Sequence, residues 1–174
     1  MEGEVWVRGP QVMRGYLNRP DVTAATVDAE GWLHTGDVGF MDSDGFLHVV
    51  DRVKELIKYK GLQVAPAELE AVLLAHPGVA DAAVIPVPDE CAGEVPKAYV
   101  VPRAAPADAD AFVAELMEHV AARVAPHKKV RAVELTDAIP KSASGKILRR
   151  VLVARERERA EATLPGFAPG AAVR

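Results

Sequence analysis

Asp51-Arg52-Val53-Lys54-Glu55-Leu56-Ile57-Lys58-Tyr59-Lys60-Gly61-Leu62-Gln63 is the stretch that the rest of the chain is arranged around. An apolar run rich in β-formers ends at Arg52, four Lys/Arg side chains fall within residues 52–60, and a Lys-Gly step interrupts a second apolar alternation. The spacing predicts a strand, a joint and a hairpin. Leu56-Ile57-Lys58-Tyr59 and Leu62-Gln63-Val64 are its arms, and Lys60-Gly61 is the tight turn, where glycine enters positive φ without steric penalty. The plain alternative is an exposed hairpin with solvated lysines, and the neighbouring segments weigh against it.

Upstream, Val38-Gly39-Phe40-Met41 and Phe46-Leu47-His48-Val49-Val50 read as a β-hairpin joined by Asp42-Ser43-Asp44-Gly45. That turn begins like a calcium loop but lacks the further oxygen ligands and terminal Glu, so it reads as a hairpin turn. Farther back lie an extended Gly31-Trp32-Leu33-His34-Thr35, one or two helical turns over residues 20–26, and an alternating strand over residues 3–9 closed by Gly9-Pro10.

Downstream, residues 65–76 predict a helix with Pro66 in its first turn, acids beside its positive end, and Leu69, Val72 and Leu73 at helical spacing. Pro77-Gly78 stops it. Residues 79–87 and 95–101 are apolar, β-branched runs that read as paired central strands separated by a polar loop over 88–94. A second helix covers 108–124, a short strand 130–135, and a final helix opens after Ser144-Gly145 with Ile147, Leu148, Val151 and Leu152 on one side. This order, β-hairpin, α, β, β, α, β, α, describes an α+β fold with helices laid against a small sheet. Residues 164–174 are expected to be disordered.

Composition narrows the function. The chain has 174 residues, 49% hydrophobic and 26% charged, with no apolar run near the roughly 20 residues a membrane span needs. Met1-Glu2-Gly3-Glu4 has neither the basic segment nor the apolar core of a secretory signal, so a cytoplasmic location is expected. The single Cys91 allows no internal disulfide and sits in a polar loop, which reads as an ordinary loop residue. The five histidines show no zinc spacing, so no metal site is expected within the chain. Net charge is −4, yet residues 123–159 carry eleven Lys/Arg against four Asp/Glu. A basic third in an acidic protein suggests an anionic ligand, with solvated helix faces as the alternative. That region has no aromatic side chain to stack on bases, which disfavours nucleic acid.

Three segments taken together, Gly31-Trp32-Leu33-His34-Thr35-Gly36-Asp37, residues 51–70, and Pro140-Lys141-Ser142-Ala143-Ser144-Gly145-Lys146, resemble the adenylate-forming ligases: acyl-CoA synthetases, luciferases and the adenylation domains of peptide synthetases. Within that superfamily, residues 50–70 and 139–149 look most like 4-coumarate–CoA ligases. The resemblance covers about residues 2–155.

It implies a set of roles. Asp37 is similar to the aspartate that accepts hydrogen bonds from both ribose hydroxyls of ATP, each charge-assisted bond being worth roughly 1.5–3 kcal/mol. Arg52 matches an arginine that contacts the ribose or phosphate end of the nucleotide, and Lys54 occupies the hinge position. Lys146 is similar to the lysine that bridges the substrate carboxylate and the α-phosphate as pyrophosphate leaves, delivered on a flexible Ser144-Gly145 loop. Gly145-Lys146 is not a Walker phosphate loop, since Ile147 stands where the hydroxyl residue would be. After the small domain turns, Lys58 and Gln63 would assist thioester formation, while Gly61 would let backbone pass close to the pantetheine arm of coenzyme A.

The resemblance also implies the substrates ATP, coenzyme A and a small carboxylic acid; composition leads us to expect no nucleic acid or membrane partner. The phosphate-gripping loop, the magnesium-holding glutamate and the acid pocket of the family do not occur in these 174 residues. Residues 1–52 therefore read as the tail end of the large N-terminal domain, 53–155 as the mobile C-terminal domain, and 156–174 as a helix end and tail. Mg2+ ligands are expected in the missing N-terminal region, which would itself be a partner. The implied activity is carboxylate adenylation followed by thioester formation, with the fragment alone inactive. A fatty-acyl or carrier-protein-loading ligase, or a non-catalytic binding module, remain as alternatives.

Overall fold

A computed structural model describes residues 2–163 of the chain. The expectation for residues 164–174 lies outside the described residues. In chain order the elements are β1 (Glu2–Val7), α1 (Pro20–Thr26), β2 (Leu33–Met41), β3 (Leu47–Arg52), β4 (Ile57–Tyr59), β5 (Leu62–Val64), α2 (Pro66–Leu74), β6 (Val79–Asp89), β7 (Gly93–Pro102), α3 (Ala109–Ala121), β8 (Ala132–Leu135) and α4 (Arg149–Thr163). The first three strands make an antiparallel sheet in the order β1-β2-β3. The other five form a second sheet, β5-β4-β7-β6, with β8 lying parallel to β7.

The second sheet is covered on both faces, and the period-2 alternation of its strands says why. Along β6, Ala82 and Val84 join Leu69 and Leu73 of α2 and Leu116 and Val120 of α3 in the larger core. The intervening Ala83 and Ile85 turn the other way and pack with Tyr99, Ile139 and Leu152 of α4. Strands buried on both faces read as continuous apolar runs, which is what residues 79–87 and 95–101 present. The helix termini follow local chemistry as well. Asp108 caps α3 by accepting the Ala111 N–H at 2.9 Å. Pro66 stands at the start of α2, whose Ala67 N–H is satisfied from another strand by Asp51 Oδ2 at 3.1 Å.

Three details depart from the sequence expectations. The strands β6 and β7 run to Asp89 and from Gly93, so the polar segment between them shrinks to a short turn. β7 is central, but β6 is an edge strand, flanked by β7 alone. Helix α4 starts at Arg149 rather than after Gly145, because Lys141 and Ile147 first form a β-bridge and the Leu148 N–H is donated to the Pro140 carbonyl at 2.8 Å.

The two sheets meet along a narrow seam. Val38, Leu56 and Ala65 are buried there, with Val50 packed beside them.

Candidate functional site

Asp37 and Arg52 lie directly opposite each other on β2 and β3. Arg52 Nε approaches Asp37 Oδ1 at 3.3 Å. The Asp37 backbone is held by Thr35, whose hydroxyl donates to the Val5 carbonyl at 2.8 Å and accepts the Asp37 N–H at 3.1 Å. The ladder extends one rung further, Val53 N–H to the Gly36 carbonyl at 2.8 Å. The pair is open to water and contributes little to stability, which leaves the carboxylate's remaining lone pairs and the guanidinium's terminal nitrogens available to a ligand.

Past Arg52 the chain turns tightly. The Arg52 carbonyl accepts the N–H groups of Glu55 and Leu56 at 2.9 and 3.2 Å, so Leu56 is buried while Lys54 projects into solvent. No ion pair of Lys54 occurs among the described residues.

The predicted hairpin is present. Lys58 of β4 is the direct cross-strand partner of Gln63 on β5, and both are exposed, while Ile57 and Val64 are fully buried on the opposite face. Lys60 and Gly61 both have positive φ, 48° and 80°. The twist of a two-residue hairpin requires this of both central residues. A Cβ built on Gly61 would meet nothing within 4 Å, so its requirement for glycine here is conformational rather than steric. Gly61→Ala should therefore lower stability by about 1–2 kcal/mol, read from the urea midpoint, with Gly61→Asn milder because asparagine tolerates this backbone region.

Lys146 sits on a tied loop rather than a loose one. The Ser142 N–H donates to the Lys146 carbonyl at 2.8 Å, the Lys146 N–H to Ser142 Oγ at 3.1 Å, and the Gly145 N–H to the Ser142 carbonyl at 2.9 Å, with Gly145 at φ 81°. Lys146 lines a cleft of about 420 Å³ with Arg52, Glu55, Gly145, Ile147 and Arg149. Arg52, and through it Asp37, is thus brought together with Lys146. Lys58, Gly61 and Gln63 are not in that cleft. Gln63 lines a separate one, between the two sheets, with Val38, Val53, Glu68 and Lys128. No cluster of three or more His, Cys, Asp or Glu that could hold a metal ion occurs among the described residues, and no helix there is long and apolar enough to cross a membrane.

Residues 68–146 match the family model of the AMP-binding enzyme C-terminal domain. Over those residues the chain resembles that domain. It is 57% identical over 155 residues to 4-coumarate–CoA ligase 2 of Oryza sativa subsp. japonica, a match that covers 89% of this chain and 27% of the relative. Among solved structures it is similar to the o-succinylbenzoate CoA synthetase of Bacillus subtilis in complex with its acyl-adenylate intermediate, at 41% identity and a TM-score of 0.77 over 87% of this chain and 30% of that one. It is also similar to ATP-bound MatB from Rhodopseudomonas palustris, at 31% identity and a TM-score of 0.82 over 91% of this chain and 31% of that one. The chain resembles the C-terminal part of adenylate-forming acid–CoA ligases, a family of enzymes, and spans about a quarter to a third of the length of these relatives.

In and beside the matched region, the residues that sequence reasoning missed are Arg149, Glu70 and Glu55. Arg149 Nη2 and Nε grip Glu70 Oε2 and Oε1 at 2.7 and 3.2 Å, and Nη1 pairs with Glu55. Glu70 Oε1 also accepts the Val84 N–H at 2.8 Å. Burial pushes the Glu70 carboxyl up from its ordinary range, against the opposing pull of the Val84 N–H and the Arg149 guanidinium. Glu70 falls on the buried stripe Pro66, Leu69, Glu70, Leu73 of α2. An acid on an apolar stripe is the signal that could have flagged it.

Proposed function

We propose that this chain is the C-terminal part of an ATP-dependent acid–CoA ligase of the 4-coumarate type, and that its small domain, residues 53–155, turns about Lys54 between two half-reactions. The reading is carried by one observation: Lys146 shares a cleft with Arg52, the partner of Asp37, while the Lys58–Gln63 pair lies outside it. That separation supports a reorientation between the two steps.

In the first step the carboxylate of the acid attacks the α-phosphorus of ATP and pyrophosphate departs. Asp37 would accept the ribose hydroxyls, Arg52 would meet the nucleotide from the same strand pair, and the Lys146 ammonium would offset the charge that builds on the phosphoryl oxygens. Lys146 fits that task, because no ion pair among the described residues ties up its ammonium. In the second step the thiol of coenzyme A attacks the acyl carbon and AMP leaves. Lys58 and Gln63, side by side on an exposed hairpin face, would line the thiol's approach, with Gly61 at the turn. A magnesium ion would supply further charge neutralisation on the polyphosphate. Its ligands are not assigned to this chain, whose described residues hold no suitable cluster.

The acid is not set by these residues in this reading. Relatives named for coumarate and for succinylbenzoate match this chain over 89% and 87% of its length, at 57% and 41% identity.

The test is calorimetric titration of the chain with ATP and with coenzyme A, alone and after addition of a separately expressed large domain of a 4-coumarate–CoA ligase. Binding or turnover that requires the added domain is the expected result. A folded chain that forms adenylate alone, or that restores nothing to any large domain, overturns the proposal.

A further inference from the structure

The loop that carries Lys146 is held at both ends. On its incoming side Ile139 is buried and Lys141 Nζ pairs with Asp81 Oδ2 on β6 at 2.5 Å. On its outgoing side Ile147 packs against the Ile85, Tyr99 and Leu152 cluster, and Arg149 closes on Glu70 and Glu55. The bridge between Lys141 and Ile147 keeps the two legs side by side. A side chain on such a loop takes its position from whatever fixes the legs.

Glu55 ties this clamp to the other half of the cleft. Its N–H is donated to the carbonyl of Arg52 at 2.9 Å, and Arg52, Glu55, Arg149 and Lys146 all line the same space. The contacts close a ring: Arg52 to Glu55 through the backbone, Glu55 to Arg149 through an ion pair, and Arg149 to Lys146 along three residues of chain. A guanidinium holds two carboxylates in a fixed plane, whereas an ammonium, like that of Lys97 between Glu134 and Glu156, is a point charge without that fork. The clamp is shielded on its Glu70 side, where the Arg149 side chain is 17% exposed and that of Glu70 9%, while Glu55 is 36% exposed.

We infer that Arg149 is a positioning residue for the adenylation step, fixing the separation between Lys146 and the Arg52–Asp37 pair by clamping Glu55 and Glu70 without itself touching substrate. The inference rests on the role proposed above for Lys146. A misplacement of about 1 Å at a reacting centre costs about 10²-fold in rate.

Two measurements test it. On the 174-residue chain alone, Arg149→Met and Glu55→Gln should speed amide hydrogen exchange at Gly145 and Lys146 by about tenfold or more, while Val84 and Val100 in the core strands stay protected. Glu55→Gln removes one arm of the clamp without stranding a buried charge, so it reports even if Arg149→Met folds poorly. With a large domain added, Arg149→Met should lower the turnover of adenylate formation about 10–100-fold with half-saturating ATP little changed. Thioester formation from preformed adenylate should persist, and Arg149→Lys should recover part of the loss. Unchanged exchange at Gly145 and Lys146 in both variants overturns the inference, as does an equal loss of both half-reactions. If Lys146→Ala slows adenylation and Arg149→Met does not, the role of Lys146 stands and this inference alone falls. If Lys146→Ala slows nothing, the proposed function itself fails.

Discussion

Lys146→Ala, in the chain working with an added large domain, should slow adenylate formation by about 10²–10³-fold, the loss typical of removing one preorganised charge stabiliser from a transition state. Thioester formation from preformed adenylate should be untouched. Lys58→Ala should do the reverse. The asymmetry follows from the placement of the two ammonium groups: Lys146 lines the cleft that holds Arg52, and Lys58 stands beside Gln63 on a hairpin outside it. Both lysines are exposed, so neither substitution removes buried apolar surface, and the fold should be indifferent to both. Pyrophosphate exchange reads the first half-reaction, and release of AMP from supplied adenylate on addition of coenzyme A reads the second. Parallel loss of both in both variants would sink the two-face assignment.

Leu69→Ala should lower the stability of the isolated chain by about 2–5 kcal/mol, a large share of the roughly 5–15 kcal/mol that holds a domain together. Leu69 is fully buried, and it belongs to the cluster that also contains Ile57 and Val64, the inward residues of the hairpin. Truncation leaves a cavity beneath the strands that display Lys58 and Gln63. Urea unfolding followed by circular dichroism measures the shift. Unlike the lysine variants, this one should depress both half-reactions together and in proportion to the fraction unfolded. A midpoint unchanged from the parent would show that α2 is not the platform for the hairpin.

The hairpin and most helices were legible in the sequence because their determinants are local. Lys60-Gly61 between two apolar arms specifies the turn, and Asp108 and Pro66 mark where helices begin. The start of α4 was misread because Ile147 and Leu148 extend the apolar spacing of Val151 and Leu152 backwards. Nothing local reports that the chain must first close a bridge to Lys141. Each candidate side chain could be named from its motif, but the cleft that joins Arg52 to Lys146 could not. The clamp beside it brings together residues 79 and 94 positions apart in the chain. Such meetings depend on how layers stack, and hydrophobic periodicity carries no information about which charged residues end up opposite one another.

The seam between the two sheets has an energetic consequence of its own. Among the described contacts that cross it are three buried side chains, the rung from Val53 to Gly36, the bonds from the Glu55 and Leu56 N–H groups to the Arg52 carbonyl, and the bond from Ala67 to Asp51. Net hydrogen bonds contribute only about 0.5–1.5 kcal/mol each, and each buried methylene about 0.8 kcal/mol. In the proposed function this joint opens between the two half-reactions. Whichever ligand binds one orientation more tightly by a few kcal/mol sets the population, so the chemical state of the substrate, rather than the protein, would select which face is presented.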